Sequence, residues 1–122
     1  MKKIVMIAAA AAMIAGFTAG NAYAGAEAKC KACHDFGSKH KVGPGLAGVF
    51  GRAAGSTDFA KYGDDLKKGG WNWDEEHLRK WIENSKKAIK EFSGNDGAKT
   101  KMPPQKLTGA KADEVIAFLK GL

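Results

Sequence analysis

Cys30, Lys31, Ala32, Cys33 and His34 form a C-x-x-C-H pentapeptide, and the 122-residue chain holds no other cysteine. Two thiols three positions apart on a short helical turn can each add to one vinyl group of a single porphyrin. The histidine that follows then lies under the ring, where its imidazole can bind the iron. The motif is read as a covalent c-type haem attachment site. A chain that clamps so large a flat group near one end must fold around it. Two other chemistries compete for the same residues. A structural zinc wants four ligands, and only His34, His40 and His77 could join the cysteines. Their spacing lacks the second half of a Cys2His2 site. A thioredoxin-like dithiol wants a βαβ context, and no β-branched strand run follows the motif.

The residues before the motif point to export. Lys2 and Lys3 make a positive start, Ile4 to Gly20 is uncharged and mostly apolar, and Ala22-Tyr23-Ala24 is a small-x-small cleavage site ahead of Gly25. Residues 1–24 are therefore expected to be a secretory signal peptide cleaved after Ala24, with residues 25–122 forming one domain. The apolar stretch falls short of the ~20 residues that span a bilayer, although an uncleaved anchor is the alternative. In an oxidising compartment such as the bacterial periplasm the two thiols would pair as a disulfide unless thioether bonds consumed them. The 98 residues left after cleavage suffice for one small domain whose core gains from a covalently held porphyrin.

Apolar periodicity predicts an all-α chain. Leu78, Trp81, Ile82 and Ile89 share one face of a helix expected from Asp74 to about Ile89, with acidic residues first and Lys86, Lys87 and Lys90 near its end. Ala112, Val115, Ile116 and Leu119 repeat the pattern from Ala110 to Leu119, with Thr108 as N-cap and Gly121 beyond the end. Between Gly37 and Gly70 no period persists, which predicts long loops and at most a helical turn near Asp64 to Lys68. Loops of that length in a small domain usually wrap something.

An iron held by His34 has one further axial position, and elimination points to Met102. Met1, Met6 and Met13 leave with the leader, so Met102 is the single thioether remaining. Pro103 and Pro104 stiffen the chain just after it. His40 follows His34 too closely to reach the other haem face easily, and His77 falls on the polar side of a helix. Both are expected at the surface.

With these residues in place the chain resembles class I cytochrome c, in its mitochondrial-like and bacterial c2-like branch. Val42-Gly43-Pro44-Gly45-Leu46 and Gly48-Val49-Phe50-Gly51-Arg52 are similar to the family's G-P-x-L-x-G-x-x-G-R segment. The resemblance implies a small all-α fold of helices and long loops around one covalent haem c, and a Pro44 carbonyl that accepts a hydrogen bond from His34 Nδ1. It also implies that Arg52, Tyr62 and Trp73 enclose a haem propionate and that Thr100 bonds one. Three places depart from the family. Ala22 and Ala26 stand where its N-terminal helix carries a glycine and an aromatic. Trp81 replaces a tyrosine that bonds the methionine sulfur, and an indole can donate only from a different position. Glu91 to Lys99 is longer than its counterpart and reads as an inserted surface turn.

The function this implies is a periplasmic one-electron shuttle with His34 and Met102 as axial ligands, no catalytic residues and no enzyme activity. The alternative is a haem enzyme or gas sensor with an open sixth position. The net charge of +7 falls to +5 when Lys2 and Lys3 are lost. Lys39, Lys41, Lys86, Lys87, Lys99 and Lys101 flank the segments expected at the haem edge, a pattern suited to steering toward acidic partners. The expected partners are acidic redox proteins: a cytochrome reductase-type donor and an oxidase, peroxidase or reaction-centre-type acceptor. Nucleic acid and stable membrane insertion are not expected, and the chain should be a monomer.

Overall fold

A computed structural model of the chain describes residues 25–122. The expected leader, its expected cleavage after Ala24 and Ala22 lie outside the described residues. A 3-10 helix, Ala26–Ala32, carries the first cysteine. Four α-helices follow: α1 (Asp64–Lys68), α2 (Glu75–Glu83), α3 (Ser85–Ser93) and α4 (Gly109–Lys120). Among the described residues there is no sheet, only an isolated antiparallel bridge between Ala53 and Asn72.

The helix expected from Asp74 to Ile89 is two helices. Asp74 caps α2 by accepting the His77 backbone N–H at 2.9 Å. The break falls at Asn84, whose backbone is extended and whose side chain accepts the Lys87 N–H at 3.1 Å. A short amide side chain competes with the helical backbone and favours a cap over an interior position. Apolar spacing does not register this, because Ile82 and Ile89 stay on the buried side across the break. α4 matches its predicted span within a residue at each end. Thr108 occupies the N-cap with extended backbone but makes no side-chain capping bond, and Gly121 ends the helix at φ −87°, outside the left-handed region.

α2 packs on α3 and on α4, and the 3-10 helix packs on α4. Leu78, Trp81 and Ile82 of α2 meet Ala88 and Ile89 of α3 and Ala112, Val115, Ile116 and Leu119 of α4 in one buried cluster. Trp71 and Trp73 extend it, their rings edge to face at 5.8 Å. Arg79 ties α2 to α4 by bonding Asp113 at 2.7 Å, and also holds Glu75 of its own helix at 3.1 Å. Such exposed pairs add little beside the burial.

The long loops are fixed by single backbone contacts. Gly43 N–H donates to Cys33 O at 2.7 Å, Leu46 N–H to Asp35 O at 2.9 Å, and Gly48 N–H to Leu122 O at 3.0 Å. Residues 51–54 pair with residues 71–73 around the isolated bridge. The segment Glu91 to Lys99 is a surface turn only in its middle. Its first residues finish α3, Gly94 caps that helix at φ 70°, Ala98 is buried, and Lys99 N–H donates to Asp65 of α1 at 2.9 Å.

Candidate functional site

A single apolar cleft brings together Cys30, Cys33, His34 and Met102. Pro44, Arg52, Tyr62, Trp73 and Thr100 also line it, so every site residue named from the sequence faces one space. The cysteines and His34 come from the 3-10 helix and the turn after it. Met102 comes from the loop between α3 and α4, and Leu78, Trp81 and Ile82 of α2 supply part of the apolar wall.

The imidazole of His34 is held in one tautomer. Its Nδ1 lies 2.7 Å from Pro44 O and must donate there, which leaves Nε2 with a free lone pair. Burial lowers the His34 pKa below its ordinary value; the Pro44 bond opposes this, and the charges of Arg52 and Lys41 add to it. The ring is thus neutral near pH 7, the form that binds metal. Gly43 is required beside it: a Cβ there would lie 2.4 Å from His34 Cε1.

Met102 is positioned by α2 and α3. Trp81 Nε1–H donates to Met102 Sδ at 3.1 Å, so the indole reaches the sulfur. Ser85, fully buried at the start of α3, donates to Met102 O at 2.6 Å. Lys86 Nζ donates to Thr100 O at 3.2 Å, and Met102 N–H reaches Thr100 Oγ1 at 3.5 Å. Ser85 escaped the sequence reading. Its signal was a hydroxyl on the same helical stripe as Leu78, Trp81 and Ile82, where an apolar residue would otherwise stand.

Arg52 donates to Ala47 O at 3.0 Å and to Gly45 O at 3.2 Å, yet its buried Nε–H has no partner among the described residues. An enclosed guanidinium N–H without an acceptor fits a carboxylate of a bound group. Tyr62 OH bonds Thr57 Oγ1 at 2.6 Å, a partner the sequence did not disclose. His40 and His77 are engaged elsewhere. His40 Nε2 donates to Asp58 at 2.6 Å while its Nδ1 accepts the Gly45 N–H at 3.0 Å. His77 bonds Asp74 at 2.7 Å. Among the described residues no three His, Cys, Asp or Glu side chains converge as a zinc site would require.

Two thiols, an imidazole with a free Nε2, a thioether and a guanidinium N–H without an acceptor around one apolar slot fit a covalently held haem. The cytochrome c family model matches residues 17–122. Cytochrome c2 of Cereibacter sphaeroides is 36% identical across 98% of this chain and 93% of its own length. Cytochrome c2 of Rhodospirillum rubrum is 37% identical across 97% and 93%. The crystal structure of cytochrome c2 from Rhodobacter sphaeroides superposes with a TM-score of 0.68 at 34% identity, covering 80% of this chain and 89% of that one. A family match that starts ahead of the cysteines and runs to the last residue, over a cleft with this chemistry, places the chain in the cytochrome c family.

Proposed function

We propose that the chain is a periplasmic one-electron carrier in which His34 and Met102 are the axial ligands of a haem c linked by thioethers to Cys30 and Cys33. Membership of the family makes it an electron carrier with covalently bound haem. Haem c, when bound, supplies an iron that alternates between Fe(III) and Fe(II). The chain's residues fix the surroundings of that change. Pro44 holds His34 through Nδ1 and leaves Nε2 of this cleft-lining ring unengaged. Trp81 and Ser85 hold the Met102 sulfur and carbonyl. Arg52, Lys61 and Lys101 put positive charge around the cleft, suited to propionates.

The observation that carries this reading is the hydrogen-bonded Met102 sulfur within the cleft that also holds His34. An enzyme or gas sensor would need that position open, and the bonds from Trp81 and Ser85 act against opening it. The reading therefore assigns no catalytic residue. Export is supported by the leader pattern, with cleavage after Ala24 leaving residues 25–122 as the working domain. Among the described residues no helix is long and apolar enough to cross a membrane. Acidic redox proteins are the partners that the basic charge favours, and the monomer is the working form.

The test is the ligand set. The ferric protein should show the weak near-infrared band of sulfur–iron charge transfer. Met102→Ala should abolish the band, leave haem attached and let the ferrous form take carbon monoxide. A wild-type protein that lacks the band and binds carbon monoxide readily would transfer the assignment to the sensor.

A further inference from the structure

The 3-10 helix contains a buried carboxyl side chain that does not line the haem cleft. Glu27 is only 5% exposed, and its Oε2 is enclosed with no hydrogen-bond partner among the described residues. A buried carboxylate oxygen without a donor is costly and calls for a cation. A second carboxylate stands beside it from α4. Glu114 Oε1 accepts the Ala26 N–H at 3.3 Å. Both converge on Gly25. A Cβ built there would lie 1.8 Å from Glu114 Oε1 and 2.6 Å from Glu27 Oε2, so only glycine lets the two acids close on this backbone. The nearby Lys29 is turned away, its Nζ donating to Gln105 O at 2.7 Å.

We propose that Glu27 and Glu114 form a receptor for the α-ammonium that cleavage after Ala24 creates on Gly25. The inference rests on that cleavage. Hydrolysis of the Ala24–Gly25 amide adds water across the C–N bond: hydroxide goes to the Ala24 carbonyl and one proton to the Gly25 nitrogen, and the new Ala24 carboxylic acid gives up a second proton that the amine takes. One amide donor becomes a cation with three N–H bonds, attached to the same Cα that the two carboxylates already face. Glu27 Oε2 gains its missing partner, and the amine bridges the 3-10 helix to α4. Removal of the leader therefore fastens the haem-attachment helix to the last helix, and the mature protein is more stable than its precursor.

The experiment uses the mature holoprotein. Intact mass should correspond to a chain beginning at Gly25 plus one haem; any other start overturns both the cleavage and the capture. Acetylation confined to the α-amine should raise the unfolding equilibrium constant of the wild type about tenfold, the scale of one charge-assisted hydrogen bond. The same modification should have little effect in Glu27→Gln. Equal effects in the two proteins overturn the capture and leave the cleavage standing. A measurement without any substitution guards against a variant that fails to fold. The Gly25 amine of the folded holoprotein should acylate about tenfold more slowly than that of the urea-unfolded chain; equal rates also overturn the capture.

Discussion

The back of the molecule and the front are stabilised in different ways. Behind the cleft, α2, α3 and α4 bury aliphatic and indole side chains in one cluster, each helix ending within itself or at a capping residue. In front, residues 35–63 hold position through scattered backbone bonds and through side chains such as Asp35, Arg52 and Asp58, which each fasten a single turn. A region built by burial loses stability with volume. A region built by individual hydrogen bonds loses geometry first.

Substitutions should separate the two regimes. Ile89 is 0% exposed, and Ile89→Ala should cost roughly 2–5 kcal/mol, read as a lower urea midpoint with haem ligation unchanged. If Met102→Ala costs as much global stability, the division between back and front fails.

The next effect concerns charge on the two sides. Lys86 and Lys101 are bonded to the loops around the cleft, at Thr100 O and Lys61 O, whereas Lys120 pairs with Glu75 on the helical side. Charge reversal at Lys86, Lys87 or Lys101 should slow electron transfer to an acidic partner several-fold more than reversal at Lys111 or Lys120. The gap should close as salt shortens the screening length below ~10 Å. Equal slowing by all five would mean that net charge alone steers the encounter.

A smaller shift is expected at the contact between the regions. Trp81→Phe keeps a ring against Trp73, now at 5.0 Å, and removes the donor to the Met102 sulfur. With Met102 bound to the iron as proposed, that donor would draw electron density from the sulfur and favour Fe(II). Potentiometric titration should therefore give a lower reduction potential in the variant, with helical content unchanged. A raised potential would show that the indole acts by packing instead.

The smallest effect is at the loop bond between His40 and Asp58. The hydrogen bond from His40 holds the Asp58 carboxyl below its ordinary value of 3.8. A depressed carboxylate contributes stability that is fully present above its unfolded pKa and is lost as pH falls through the folded one. The bond should therefore be constant near neutral pH and fail only below about pH 3.8. Asp58→Asn should speed hydrogen exchange at the Gly45 amide, which His40 accepts, and leave α4 amides unaffected. Faster exchange in both places would mean that the loops and helices open together.

The cleft was legible because its chemistry is carried by residue types that little else explains. C-x-x-C-H, one methionine beyond residues 1–24 and a Pro-rich turn named the thiols, His34 and Met102 without any knowledge of the packing. Helix α4 was legible from its period, since nothing interrupts it. What stayed hidden depends on contacts distant in sequence. Asn84 breaks a helix without disturbing its apolar stripe, and Ser85 becomes useful only when Met102 arrives seventeen residues later. The buried Glu27 reads from sequence as an ordinary polar residue ahead of a cysteine. Its enclosure appears only when α4 brings Glu114 alongside.

The three tryptophans of the sequence all belong to one aromatic cluster, Trp71 against Trp73, Trp73 against Trp81, and Phe92 beside all three. Trp73 and Trp81 also face the cleft. A porphyrin held there absorbs where indoles emit, so the folded holoprotein should be nearly dark in ultraviolet fluorescence. Light returns only when the cluster and the cleft part company. The chain thus carries a built-in optical gauge of its own opening, with no added label and with all emitters on the same side.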